Sequence, residues 1–315
     1  MARSNLTKAF VFGFLAWALA VILGLKIGAV PGVDTDVIVQ LRLPRVILAS
    51  AVGMGLAVAG ATLQALFANP LCEPYTLGIS SGSALGAVIG IGFGMQWSFA
   101  GLAGTSFIGA LVFALFLYLI SLRAGSSNLT ILLAGVMLGF LGSSLVAVWM
   151  AFADANGIQG ATIWLMGDMS RARLKGSALA LMSSTMLSYS IWCGWRQLDA
   201  LMMGEEGALS LGISVSSARR RFIVLTSLLI GLCVSGAGMI GFVGLVIPHF
   251  VRRLVGSLHL ELLPLCAIWG AASLTAADAL SRVIARPYEL PVGVVTALVG
   301  APLFLWIMLQ RKESL

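Results

Sequence analysis

The chain has 315 residues, 59% of them hydrophobic and 10% charged, with a net charge of +7 and a mean hydropathy of +1.03. That much apolar surface exceeds what a soluble core needs, which excludes one or two water-soluble domains and indicates a polytopic membrane chain. The surplus cations sit at the ends of apolar runs and form no stripe along one helix, so they read as topology signals and not as a nucleic-acid surface.

A spanning helix needs about 20 residues, so uncharged runs can be counted as spans. Residues 9–25, after Arg3 and Lys8, give the first. They resemble a secretory signal, but further spans follow at once, so an uncleaved first span is expected. Residues 44–68 give the second, entered by R-L-P-R at 42–45, where proline in a first helical turn costs little and arginines can stay at the interface. No charge occurs between Glu73 and Arg123. One helix of that length would reach about 70 Å, so the chain must fold back. The predicted turn is 92–97, leaving a short Gly/Ser-rich third span and a fourth over 98–121. The fifth is 129–152, residues 153–175 read as a mixed loop with Asp154, Asp168, Arg171 and Arg173, and the sixth runs over 176–195.

Residues 199–221 are the longest polar interruption in the chain. Arg196 with Arg219, Arg220 and Arg221 marks this loop as cytoplasmic. Inside it, Glu205 and Glu206 precede a helix-capable run, Ala208, Leu209 and Leu211, broken by Gly204, Gly207 and Gly212. A small amphipathic element beside a bilayer is a place for another protein to dock. The seventh span is predicted from 222 to about 236, a turn at 235–238, a truncated eighth over 239–251, a ninth over 262–284 and a tenth over 291–310. Ten spans put both basic termini on one side, as their charge asks. Residues 55–61 (G-L-A-V-A-G-A) and 231–237 (G-L-C-V-S-G-A) echo each other at spans that run in opposite directions, which fits two inverted five-helix repeats. The expected fold is all-α, a single transmembrane domain over 1–315 with the segment 199–221 as a cytoplasmic segment within it.

Candidate chemistry is sparse. Cys72, Cys193, Cys233 and Cys266 lie far apart, and only His249 and His259 could join them, so neither a zinc site nor a disulfide framework follows. No G-x-x-x-x-G-K-[ST] occurs, so this chain does not itself cradle ATP. Intramembrane charge is expensive and therefore informative. Asp278, Arg282 and Arg286 share one face of the ninth helix, where Asp278 and Arg282 can pair. The span centres carry no coupling carboxylates, which argues against proton- or sodium-driven transport. A transporter lacking both devices must take its energy from another subunit.

Four motifs then become familiar: R-L-P-R at 42–45; N-P-L-C-E-P at 69–74 followed by L-G-I-S-S-G at 77–82; G-L-V-I-P-H-F-V-R at 244–252; and E-L-P-V-G-V-V-T-A-L-V-G-A-P at 289–302. In this order, over nearly the whole chain, they resemble the FecCD (BtuC-like) permease family, the membrane subunits of ABC importers for iron-siderophores, haem and cobalamin. Cys72 departs mildly from the small residue more usual there.

The resemblance implies ten helices per subunit, a second permease copy as a homodimer or paired permease, two cytoplasmic ATPases carrying ATP and Mg, an extracytoplasmic substrate-binding protein, and no cofactor or catalytic group on this chain. It implies that Gly204, Glu205, Glu206, Ala208, Leu209, Leu211 and Gly212 form the coupling element that fits a cleft on the ATPase. It also implies that Arg42, Arg45 and Arg286 meet acidic side chains of the binding protein, a role suited to the guanidinium fork. Ser126, Ser127 and Asn128 fall where the family forms its cytoplasmic gate, and a helix-capping role competes there. His249 reads as structural, and Met54, Met137, Met166 and Met169 as packing. Iron-siderophore leads on family breadth, with haem and cobalamin behind it. An ATPase-independent carrier or channel is the alternative. The bacterial inner membrane, with both termini cytoplasmic, is the expected location.

Overall fold

The computed structural model describes residues 2–28, 35–95, 98–123 and 127–309. Among them every element is helical: α1 (Ala2–Lys26), α2 (Leu43–Leu66), α3 (Ile79–Gly92), α4 (Phe99–Ser121), α5 (Asn128–Phe152), α6 (Ala155–Leu165), α7 (Leu174–Trp192), α8 (Trp195–Met202), α9 (Glu205–Ser210), α10 (Val215–Ala237), α11 (Val243–Val255), α12 (His259–Ser281) and α13 (Val292–Leu309). Six helical segments, 6–26, 35–66, 99–121, 128–152, 215–237 and 259–281, are long and apolar enough to cross a membrane on those grounds alone. Helix is the only open-ended element that satisfies its own backbone in hydrocarbon, so an apolar chain of this composition has little other choice.

Ten helices stand where ten spans were expected, with three revisions. The loop expected at 153–175 contains α6, because Asp154 caps it by accepting from the Gly157 N–H at 2.8 Å, and Ala161 and Trp164 are buried. The arginine triplet belongs to a helix and not to a loop: α10 begins at Val215, and its first turns carry Arg219, Arg220 and Arg221 outside the apolar stretch. The truncated eighth span is four residues further on, Val243–Val255, because residues 238–242 after α10 are not helical. The turn expected at 92–97 falls partly outside the described residues, as does the end of the tenth span.

The inverted repeat is visible in the packing. Helices α2 to α5 correspond to α10 to α13: α2 packs on α12 as α10 packs on α4, α3 on α4 as α11 on α12, and α3 on α10 as α11 on α2. Four spans, α3, α4, α5 and α7, separate α2 from α10, so the two copies run in opposite senses. Both short helices, α3 of 14 residues and α11 of 13, start from a left-handed residue, Gly78 at φ 71° and Phe242 at φ 69°. They are the broken helices expected of such repeats.

Helix α2 is the axis, with 21 of its 24 residues buried. Around it the backbones touch at glycines: a Cβ on Gly60 would collide with the Gly244 carbonyl of α11, and one on Gly53 with the Gly270 carbonyl of α12. Lipid offers no hydrophobic drive for helix association, so close backbone approach at small residues supplies the packing. We expect Gly53→Val and Gly60→Val each to cost about 3 kcal/mol or more by overpacking. Gly104→Ala, where nothing lies within 4 Å of the added carbon, should be neutral. Thermal unfolding in detergent, followed by size-exclusion chromatography, measures the difference.

Candidate functional site

At one end of the bundle, arginines converge on the last turn of α1. A helix leaves its final carbonyls without intrahelical donors, and here side chains from other parts of the chain serve them. Arg42 Nη1 donates to the Leu25 and Lys26 carbonyls at 3.0 and 2.9 Å, Arg282 Nη1 to the Gly24 carbonyl at 3.0 Å, and Arg286 Nη2 to the Gly28 carbonyl at 2.7 Å. The partial negative charge of the helix end favours these cations. Behind them Asp278, fully buried, bridges two arginines: Oδ1 accepts from Arg45 Nε at 2.6 Å and Oδ2 from Arg282 Nη2 at 2.6 Å. Arg45 Nη1 reaches Glu289 at 2.6 Å.

The predicted pairing of Asp278 with Arg282 is therefore present. The three arginines expected to face a partner divide. Arg42 and Arg45 are buried, 6% and 9% exposed, with their donors turned into the chain, while Arg286 is exposed. The physical reason is the carbonyl demand of α1 together with the buried Asp278, neither of which the R-L-P-R motif reveals by itself. Sequence reasoning missed Arg45–Asp278 and Arg45–Glu289, since no periodicity links positions more than 200 residues apart.

At the other end lies the segment 195–214. Gly204 at φ 88° starts α9 and Gly212 at φ 75° ends its turn, conformations that glycine reaches without strain. Glu205 and Glu206 occupy the first turn of α9, and Glu205 meets Arg219 of α10 at 2.5 Å. Ala208 is buried, whereas Leu209 and Leu211 are 61% and 60% exposed. The seven residues singled out from the sequence thus lie together in one small element: one face anchored, the other carrying leucines into solvent.

Upstream, α8 packs on α2 and α12. Asp199 of α8 accepts from the His259 backbone N–H at 3.0 Å, and its Oδ1 lies 2.5 Å from His259 Nδ1; Trp192 Nε1 donates to the Leu260 carbonyl at 3.0 Å. His259 entered the sequence reading only as a possible metal ligand; its ring is fully buried against Asp199. At the same end, Arg252 of α11 donates to the Gln64 side chain of α2.

Of the expected gate residues, Ser126 lies outside the described residues. Ser127 caps α5 by accepting from the Thr130 N–H at 3.2 Å and is exposed, and the buried Asn128 Oδ1 has no hydrogen-bond partner among the described residues. The capping role of Ser127 is thus real and leaves its hydroxyl at the surface.

A bundle of ten helices in two inverted halves, with broken helices at equivalent places and an exposed apolar knob on the face opposite an arginine clamp, defines a multi-pass membrane permease. The chain belongs to the FecCD transport family, whose profile matches residues 6–310. It is 40% identical to the hemin transport system permease protein HmuU of Yersinia pestis, over 87% of this chain and 84% of that one. It is 38% identical to the vitamin B12 import system permease protein BtuC of Vibrio cholerae, over 89% and 85%. Among solved structures, a protein assigned to the metal-chelate type of ABC transporter, in an inward-facing conformation, superposes with a TM-score of 0.89 at 32% identity, covering 96% of this chain and 99% of that one.

Removing Asp278 takes the buried carboxylate from two guanidinium groups and leaves Arg282 with carbonyl partners alone and Arg45 with Glu289 at the rim. We expect Asp278→Ala to cost about 3–5 kcal/mol, the range for breaking a buried ion pair. Arg286→Ala, which gives up one peripheral hydrogen bond, should cost about 1 kcal/mol. Thermal melts of the two purified variants against the wild type check the order.

Proposed function

We propose that this chain is the permease subunit of an ATP-driven importer and forms, with a second copy, the translocation path for a metal chelate. Two cytoplasmic ATPases supply the energy and an extracytoplasmic binding protein delivers the cargo. This chain carries no catalytic group and no cofactor of its own. Haem and cobalamin head the cargo classes because relatives across most of the chain are named for hemin and vitamin B12; iron-siderophore follows. The location is a bacterial cytoplasmic membrane, with residues 195–221 and both termini on the cytoplasmic side.

One observation carries this reading: the coupling element offers Leu209 and Leu211 to solvent while Ala208 and the Glu205–Arg219 pair hold it to the bundle. Exposed leucines on a rigidly held knob suit insertion into a cleft of an ATPase, as buried apolar anchors do in protein interfaces. ATP-driven closure of two ATPases would pull on this element and alternate the access of the path between the two copies. Ser126, Ser127 and Asn128 guard its cytoplasmic end. On the outer side, Arg286 remains available to an acidic side chain, while Arg42 and Arg45 support it from within.

The test is reconstitution in liposomes with the ATPase and a binding protein loaded in turn with haem, cobalamin or an iron-siderophore. Leu209→Asp and Leu211→Asp should each lower binding-protein-stimulated ATP hydrolysis by roughly thirtyfold or more, the loss expected when a charge replaces an interface anchor. Glu205→Gln should give a smaller loss. Uptake that survives removal of the ATPase would overturn the reading in favour of a carrier or channel.

A further inference from the structure

Helix α12 is gripped at both ends. Its 23 residues rise about 34 Å, enough to cross a membrane, from His259 to Ser281. At the outer end Asp278 is fixed by Arg45 and Arg282. At the inner end α12 is held by α8 and the end of α7. Asp199 Oδ1 accepts from both the backbone N–H of His259, at 3.0 Å, and the ring Nδ1 at 2.5 Å, so one carboxylate caps the helix and clasps its first side chain. Trp192 Nε1 adds a bond to the next carbonyl, Leu260. Asp199 is only six residues before Glu205, and α8 contacts α9 directly. Along its length α12 cannot slide on α2, because Gly53 and Gly270 meet backbone to backbone.

We propose that the Asp199–His259 pair is the joint through which movement of the coupling element reaches α12, so that α12 and α2 swing as one rod whose outer end carries the arginine clamp. Asp199 and His259 are positioning residues in this scheme; neither touches cargo. The joint rests on the importer reading given above and adds to it the route by which force leaves the coupling element. The chemistry of the contact makes the route specific. A carboxylate accepting two N–H bonds resists both separation and rotation of α8 against α12, and charge-assisted bonds are about twice as strong as neutral ones. The remaining polar atoms, Asp199 Oδ2 and His259 Nε2, are buried and have no hydrogen-bond partner among the described residues, so the Oδ1 contacts are the ones that join these two side chains. Two contacts on one oxygen, one to the backbone and one to the ring, make the pair stiff, which is what a joint under load requires.

The experiment compares two substitutions of the histidine in the reconstituted complex of permease, ATPase and loaded binding protein. Asn places its amide nitrogen where ring Nδ1 lies, two bonds beyond Cβ. Gln places its amide nitrogen one bond further out, where Nε2 lies. Three quantities are read: ATPase retained by the permease on purification, ATP hydrolysed, and cargo moved per ATP. His259→Asn should keep the wild-type cargo-to-ATP ratio within about twofold, while His259→Gln and Asp199→Leu should bind the ATPase normally, hydrolyse ATP and lose roughly tenfold in that ratio, the factor set by one charge-assisted hydrogen bond. Wild-type ratios in both histidine variants would overturn the joint. Equal losses in both, with the ATPase still bound, would overturn it too, since burial alone and not the Nδ1 bond would then matter. A wild type that imports nothing in response to ATP would sink the importer reading, and the joint with it; a coupled wild type with indifferent variants would sink the joint alone.

Discussion

The last carbonyls of α1 have no donors within their helix, and they lie where arginines of two other helices can reach them. Much of the outer end follows from that. Arg42 comes from the turn entering α2, and Arg282 and Arg286 come from the end of α12 and the segment after it, so satisfying one helix end ties three parts of the chain into a corner. The guanidinium groups bring positive charge into a poorly hydrated place, and Asp278 answers it from inside while Glu289 answers from the rim. Planar guanidinium groups suit this arrangement because one group can serve a carbonyl and a carboxylate at once. Lysine at position 282 would supply the charge without the fork.

The two faces of the molecule treat charge differently. On the outer face, cations are consumed by the backbone and by Asp278. On the opposite face they hold a small helix in place: Arg219 is buried and meets Glu205, and Arg221 donates to the Ser190 carbonyl. What that face leaves exposed is apolar. Met203, Leu209 and Leu211 project where a solvated loop would carry polar side chains. The same residue type thus anchors at both ends, and the surfaces left for partners are those that the anchoring arginines free.

The fold was legible in the sequence because hydrophobic length and punctuation decide it. Spans at 98–121 and 129–152 match α4 and α5 within a residue or so, since Ser98 and Ser127 are N-caps that sequence can recognise. The small helix at 205–210 was legible because glycines at 204 and 212 bracket an apolar run in a polar stretch. The start of α10 was not, because three arginines look like loop when amphipathicity along a helix is not weighed. Helix α6 was missed because its 11 residues are too few to read as a span, although Asp154 at its N-cap was the signal. The clamp partners of Arg45 and the contact of Asp199 with His259 join positions far apart in the chain, and a single sequence holds no local trace of either pairing.

The seams between α2, α11 and α12 leave no space for one carbon atom at Gly53 or Gly60, and the same is true where Gly82 and Gly109 join α3 to α4. Backbones in such contact have no set of alternative side-chain arrangements through which to repack, so each seam behaves as a weld. Helices α5 and α13 are seated in the same way on their inner sides, Gly135 against the Thr76 carbonyl and Gly293 against the Met166 carbonyl, while outward they present Met137, Phe140 and Val148, and Leu298, Val299 and Trp306. Shape change in this permease is thereby sorted in advance: blocks joined at such seams travel whole, and what can rearrange is the side-chain surface that they turn outward.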